Sequence, residues 1–102
     1  MRLRLAVTSD AEGQIREAAA WWHANRPAAR GLFRQELTRG FELIITQPEI
    51  GTKALDAPVL GVRRIHLFRI HYHLYYRLPD EGTIEVVALW HVRRGSPPPF
   101  VS

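Results

Sequence analysis

The residues best equipped for chemistry lie in the second half of the chain. They are Arg63-Arg64, Arg69, the alternating run His71-Tyr72-His73-Leu74-Tyr75-Tyr76-Arg77, and the terminal cluster Trp90-His91-Val92-Arg93-Arg94. Arginine presents a planar fork of donors that matches carboxylates, phosphates and aromatic faces. Imidazole can carry a proton near neutral pH. Together they suit an anionic ligand, either the phosphates of a nucleic acid or an acidic protein. The same residue types also make an ordinary ion-paired rim. His71 and His73 share one face of a strand, but no Asp, Glu or third His follows at strand spacing, so no metal site is expected. Phosphate loops, dinucleotide fingerprints, nucleophile elbows and H-E-x-x-H are all absent. No cofactor is implied.

Charge is distributed unevenly. Residues 1–60 hold eight basic and seven acidic groups, net +1, whereas residues 61–102 hold six Arg against Asp80, Glu81 and Glu85, net +3. The later stretch also contains four of the five His. Thirteen of the fourteen basic residues are Arg, a bias that a GC-rich genome produces as readily as a binding function does.

Something must hold these groups in place, and the chain has room for one domain. Its 102 residues are 46% apolar and 24% charged, which excludes wholesale disorder. There is no cysteine, hence no disulfide or thiol chemistry. No apolar run approaches the ~20 residues of a membrane helix, and no signal-peptide pattern opens the chain. A cytoplasmic protein without membrane contact is expected.

Arg2–Val7 alternates basic and apolar residues and predicts a short strand. Ser9 with Glu12 reads as a capping box that starts a helix. Ala11, Ile15, Ala18, Ala19 and Trp22 give that helix its apolar stripe, and it ends near His23–Asn25, before Pro27. Trp21 lies off the stripe and is expected to be exposed. Pro27 opens a second helix with the stripe Phe33, Leu37, Phe41 and Ile44, ended by Pro48. Gly40 falls on the buried side and predicts a close approach by another element. Residues 48–61 read as a loop. Three strands follow: Val62–Phe68, His71–Leu78 and Thr83–Val92. A reversal at Arg69-Ile70 and a turn at Pro79–Gly82 separate them. The last strand should have Ile84, Val86, Ala88 and Trp90 on one face and Val87, Leu89 and His91 on the other. Apolar on both faces, it reads as central. A Pro-rich tail spans residues 95–102. The class is α+β, in the order β-α-α-β-β-β. A helical hairpin packs on one face of a small, mainly antiparallel sheet, and the other face carries His, Tyr and Arg.

As a whole, from Leu3 to Pro97, the pattern resembles the RelE/ParE superfamily of bacterial toxins from type II toxin–antitoxin modules. The resemblance rests on Ile44-Ile45-Thr46-Gln47-Pro48 with Gly51, on Gly61-Val62-Arg63-Arg64, on Tyr72–Arg77 and on Val86–Arg94. The ending Trp-His-x-Arg-Arg followed by Pro, the Tyr72–Arg77 strand and the short tail look more like the ParE branch. That branch implies a growth inhibitor, associated with plasmid stabilisation, that binds DNA gyrase without a catalytic set of its own. The RelE branch implies instead a metal-free, ribosome-dependent mRNA endoribonuclease. His91, Arg63 and Arg77 would then supply an acid and phosphate clamps, although no Tyr follows His91 and the only Lys, Lys53, lies in the loop. A third possibility is a non-toxic protein-binding module. In either toxin branch, target or phosphate contacts fall to Arg63, Arg64, Arg69, Arg77, His91, Arg93 and Arg94. A cognate antitoxin, ParD-like or RelB-like, would form a hetero-oligomer through Trp21, His71, His73 and Tyr75. Its acidic amphipathic segment would fold on binding.

Overall fold

Thr8 starts the helical layer. Its hydroxyl accepts a hydrogen bond from the Ala11 N–H at 3.2 Å, so the cap lies one residue before the expected Ser9 and the Ser9–Glu12 box does not form. The computed structural model describes residues 3–54, 61–94 and 98. The elements are β1 (Arg4–Val7), α1 (Ser9–Asn25), a 3-10 turn (Pro27–Ala29), α2 (Arg30–Thr46), β2 (Thr52–Lys53), β3 (Arg63–Leu67), β4 (Tyr72–Asp80) and β5 (Thr83–His91). The strands form one sheet in the order β1-β5-β4-β3-β2. β1 runs parallel to β5 and every other pairing is antiparallel. β5 is therefore interior as expected, but the middle position belongs to β4. The predicted loop over 48–61 contains β2, its residues 55–60 lie outside the described residues, and so does the Pro-rich tail apart from Pro98.

Both helices cover the same side of the sheet. Ala11, Ala18 and Trp22 of α1 and Phe33, Leu37 and Ile44 of α2 are buried against Ile65, Leu67, Leu74, Tyr76, Ile84, Val86 and Leu89. Gly40 allows this contact. A Cβ there would lie 2.8 Å from Leu67 Cδ2 and 3.4 Å from Leu74 Cδ2, so the expected close approach is made by β3 and β4. Glu36 is buried in the same layer at 1% exposure, which the apolar stripe of α2 did not announce.

The expected faces of β5 need correction. Tyr75 pairs with Ala88 but Tyr76 pairs with Val86, so Val87 is an extra residue, a β-bulge. The bulge reverses the alternation beyond it. Ile84, Val86, Leu89 and His91 share the helix side, while Ala88 and Trp90 turn to the open side. A second irregularity places Leu78-Pro79 out of register, where the missing N–H of Pro79 is tolerated. His71 is not part of β4. It sits in the β3–β4 turn with φ 63°, its N–H donating to Leu67 O at 2.9 Å and its carbonyl accepting from Val92 N–H at 3.0 Å.

Candidate functional site

The arginines and histidines of β3, β4 and β5 divide between the two sides of the sheet. On the helix side, Arg63 reaches back to the chain leaving α2. Its Nη1 donates to the carbonyl of Gly51 at 2.8 Å and of Glu49 at 3.3 Å. The neighbouring Tyr76 hydroxyl donates to Pro48 O at 2.7 Å and accepts from Gly51 N–H at 2.9 Å. Burial raises the Tyr76 pKa. Gly51 has to be glycine here, because a Cβ would come within 2.6 Å of the Tyr76 oxygen and 2.9 Å of Arg64 O. Arg63 and Tyr76 thus fasten the turn after α2.

Glu36 plays the matching part at the other end of β3. Its two oxygens accept from Arg39 Nε at 2.8 Å and Nη2 at 3.1 Å, and from the Arg69 N–H at 3.1 Å. The Arg39 hydrogen bond outweighs burial and holds the Glu36 carboxyl below the usual carboxylate range. Arg69 is held through its backbone, and the residue is exposed.

His91 also lies on the helix side. Its ring meets Tyr72 edge-on at 5.1 Å. Its Nδ1 accepts from the Arg93 N–H at 3.1 Å, which fixes the neutral tautomer with the proton on Nε2. Burial lowers its pKa, and the neighbouring Arg93, His71 and Arg94 push it the same way. His91, Tyr72, Arg94 and Trp90 meet Gln14, Glu17 and Trp21 of α1 around a cleft of about 140 Å³. The Leu89 N–H, on the stretch of β5 that β1 does not reach, is taken by Gln14 Oε1 at 2.8 Å. Trp21 is 49% exposed, as expected, and packs edge-on against Trp22.

The open side carries a smaller apolar cluster of Ala54, Val62, Tyr75 and Ala88, with Val87 and Trp90 packed on it. Around it stand Arg64, whose Nη1 is 3.4 Å from the Tyr75 hydroxyl, and His66, His73 and Arg77. His66 lies directly opposite His73 with ring centroids 5.1 Å apart, and Phe68 stacks on His66 at 4.2 Å. His66 Nε2 is enclosed without a hydrogen-bond partner among the described residues. Arg94 lies over the Trp90 ring at 4.0 Å. Arg77 is already paired with Glu85, Nε to Oε1 at 2.7 Å. Among the described residues no group of three or more metal-ligating side chains converges.

The structure therefore separates residues that their types group together. Arg64, His73 and Tyr75 share the open side, and Arg63 and His91 do not. Of the four residues assigned to antitoxin contact, Trp21 stands on α1, His71 in a turn, and Tyr75 is buried as a support for its neighbours. His66, absent from the sequence-based set, lies on the open side on β3, next to the middle strand. Its spacing of two from Arg64 placed it on that face, but only the β3–β4 register reveals its pairing with His73.

The sequence profile of the family described as "ParE toxin of type II toxin-antitoxin system, parDE" matches residues 5–95. The chain belongs to the ParE toxin family. No curated relative matches at a significant level. Among solved structures, this ParE-family chain is similar to one from a chromosomal ParDE toxin–antitoxin system of P. aeruginosa. The two share 16% identity and a TM-score of 0.72 over 90% of this chain and 98% of that one. A YoeB dimer from Staphylococcus aureus aligns at 16% identity and TM-score 0.58, covering 89% and 98%. A mutant of the E. coli toxin RelE in the free state aligns at 16% and 0.55, covering 91% and 86%. At such identities the likeness speaks for a shared fold, the α+β fold expected from the sequence. No helix of the ParE-family chain among the described residues is long and apolar enough to cross a membrane.

Proposed function

We propose that this ParE-family toxin acts in the cytoplasm, arrests growth by binding DNA gyrase, and is neutralised by a cognate antitoxin. One observation favours binding over RNA cleavage. The three residues that would serve a nuclease do not converge. Arg63 is committed to two backbone carbonyls, Arg77 is ion-paired on the opposite side of the sheet, and His91 faces the helices. General acid–base cleavage needs its proton donor and its phosphate clamps around one reacting group. A neutral His91 with a lowered pKa is also a poor proton donor at neutral pH.

The target-facing groups in this reading are Arg64, Arg69, Arg93 and Arg94, which the fold does not spend on carboxylates among the described residues. Antitoxin contact falls to Trp21 and to the exposed turn at His71, with His73 beyond it. A half-exposed indole beside a cleft is a frequent anchor for a partner side chain.

Induced expression without antitoxin, followed by a supercoiling assay with purified toxin and gyrase, tests the reading. The expected result is growth arrest, lost supercoiling and intact mRNA. His91→Ala should remain toxic. Normal supercoiling with cleaved mRNA would transfer the protein to the ribosome-dependent nucleases. Absence of growth arrest would leave a protein-binding module.

A further inference from the structure

We propose that His66 and His73 form a two-histidine site for a late first-row divalent metal ion, zinc(II) or copper(II), on the open side of the sheet. The register sets the two residues directly opposite each other on β3 and β4. The Val62 carbonyl accepts from the Ala54 N–H at 2.8 Å, so the backbone of Val62 points away from β4. Backbone groups alternate in direction along a strand, and those of Arg64 and His66 therefore point the same way. His66 and His73 are thus a non-hydrogen-bonded pair, the kind whose side chains stand closest. Sequence spacing offered His71 as the neighbour of His73, but His71 sits in the turn before β4, and the fold supplies His66 in its place.

The ring geometry fits a single ion. Two imidazoles bound to one tetrahedral ion, each nitrogen about 2.0–2.1 Å away, hold their ring centres about 5 Å apart. The His66 and His73 centroids are 5.1 Å apart, with 71° between the ring planes. His66 Nε2 is enclosed without a hydrogen-bond partner among the described residues. An unpaired buried ring nitrogen is costly, and a bond to a metal would satisfy it. Phe68, stacked on His66, is 67% exposed and loses little contact by moving aside to admit an ion. Both histidines border a groove of about 410 Å³, which has room for the ion and its further ligands. Ligation takes one nitrogen of each ring, and a metal-bound imidazole usually donates a hydrogen bond from the other.

The donor set narrows the ion and what completes its shell. Imidazole suits zinc, copper and nickel, whereas magnesium and calcium take oxygen ligands. No carboxylate is among the described side chains that line the groove. Two nitrogens therefore leave open positions, and the site is weaker than a closed four-ligand one. Of the two arginines in the groove, Arg39 is bonded to Glu36. Arg64 lies two residues before His66 on the same face, and its charge opposes a bare dication while favouring an anion on the open positions. The site thus takes the metal together with a small anionic ligand such as acetate. The proposal does not depend on which protein the toxin inhibits.

The test is a titration of the full, untagged chain with zinc chloride at neutral pH in the presence of acetate, read from the histidine ring resonances by NMR. One equivalent should shift the rings of His66 and His73 together and leave those of His23 and His91 in place. A chelator should reverse the shifts, and magnesium chloride should produce none. His66→Ala and His73→Ala should each weaken zinc binding at least about tenfold, since even outer-shell partners of metal ligands are worth that much. His71→Ala should bind as the parent does, and the Leu74 amide resonance in the middle strand serves as the check on folding. Shifts confined to one ring, equal shifts in all five histidines, an equal response to magnesium, or undiminished binding by either folded variant would overturn the proposal. If a variant fails to fold, the ring signals of the unaltered chain decide on their own.

Discussion

The two sides of the sheet use the same residue types differently. On the helix side, Arg63, Tyr76 and Glu36 each hold backbone groups of another segment, and their polar atoms are spent on carbonyls and N–H groups. On the open side, Arg64, His66, His73 and Arg94 lean on one another and on aromatic rings, and the carboxylate of Glu85, nearer the start of β5, is taken by Arg77. An arginine bonded to backbone carbonyls is part of the scaffold. One resting on a ring or a phenol keeps its donors for a visitor. Partner type, not residue type, separates structural cations from those available for recognition.

Substitutions can break or sharpen this contrast. The largest effect is expected at Glu36. Glu36→Ala leaves the Arg69 N–H and the Arg39 fork without their acceptor and should cost about 2 kcal/mol, a loss of roughly 8–16 °C in melting temperature for a domain of this size. The pH dependence has a defined sign. The folded pKa lies below the unfolded value of about 4.3, so the contribution is complete above that value and is lost as pH falls through the folded pKa. Glu36→Gln should flatten that acid limb in urea titrations run at several pH values. A Glu36→Ala protein as stable as the parent would mean that this side tolerates unpaired groups and that the contrast is false.

Tyr76→Phe comes next. It removes the hydroxyl that joins Pro48 and Gly51 without changing the ring, and should cost about 1–2 kcal/mol in denaturant unfolding. The smallest effect belongs to the open side. Arg64→Ala and Arg94→Ala should each change stability by less than about 0.5 kcal/mol, as surface substitutions away from special features do. Both should nevertheless weaken growth arrest. Unchanged toxicity with large losses of stability would reverse the assignment of the two sides.

Much of the fold is legible in local patterns. The stripes of both helices, apart from Ala19, which is exposed, the proline stops and the glycine at position 40 depend on neighbours within a turn or two, and the alternation of Tyr72–Leu78 marks a strand directly. The site is less legible because it depends on contacts distant in the chain. Nothing around Arg63 and Arg64 tells which one will meet the carbonyls of Glu49 and Gly51. Nothing near Glu36 announces the Arg69 N–H, 33 residues away. The Thr8 cap shows a smaller ambiguity, since Thr8 and Ser9 offer the same hydroxyl and only backbone geometry chooses between them.

The extra residue at Val87 acts as a half-turn swivel in the last strand. Paired residue for residue with no bulge, the same sequence would carry Trp90 under the helices and bring His91 out on the open side, exchanging the two rings that finish opposite walls of the protein. Deleting Val87 would remove the swivel and keep both walls as they are, because Ala88 would then follow Val86 in plain alternation, still opposite Tyr75. With Val87 present, the molecule's division of labour between anchoring and recognition hangs on where that single step is taken.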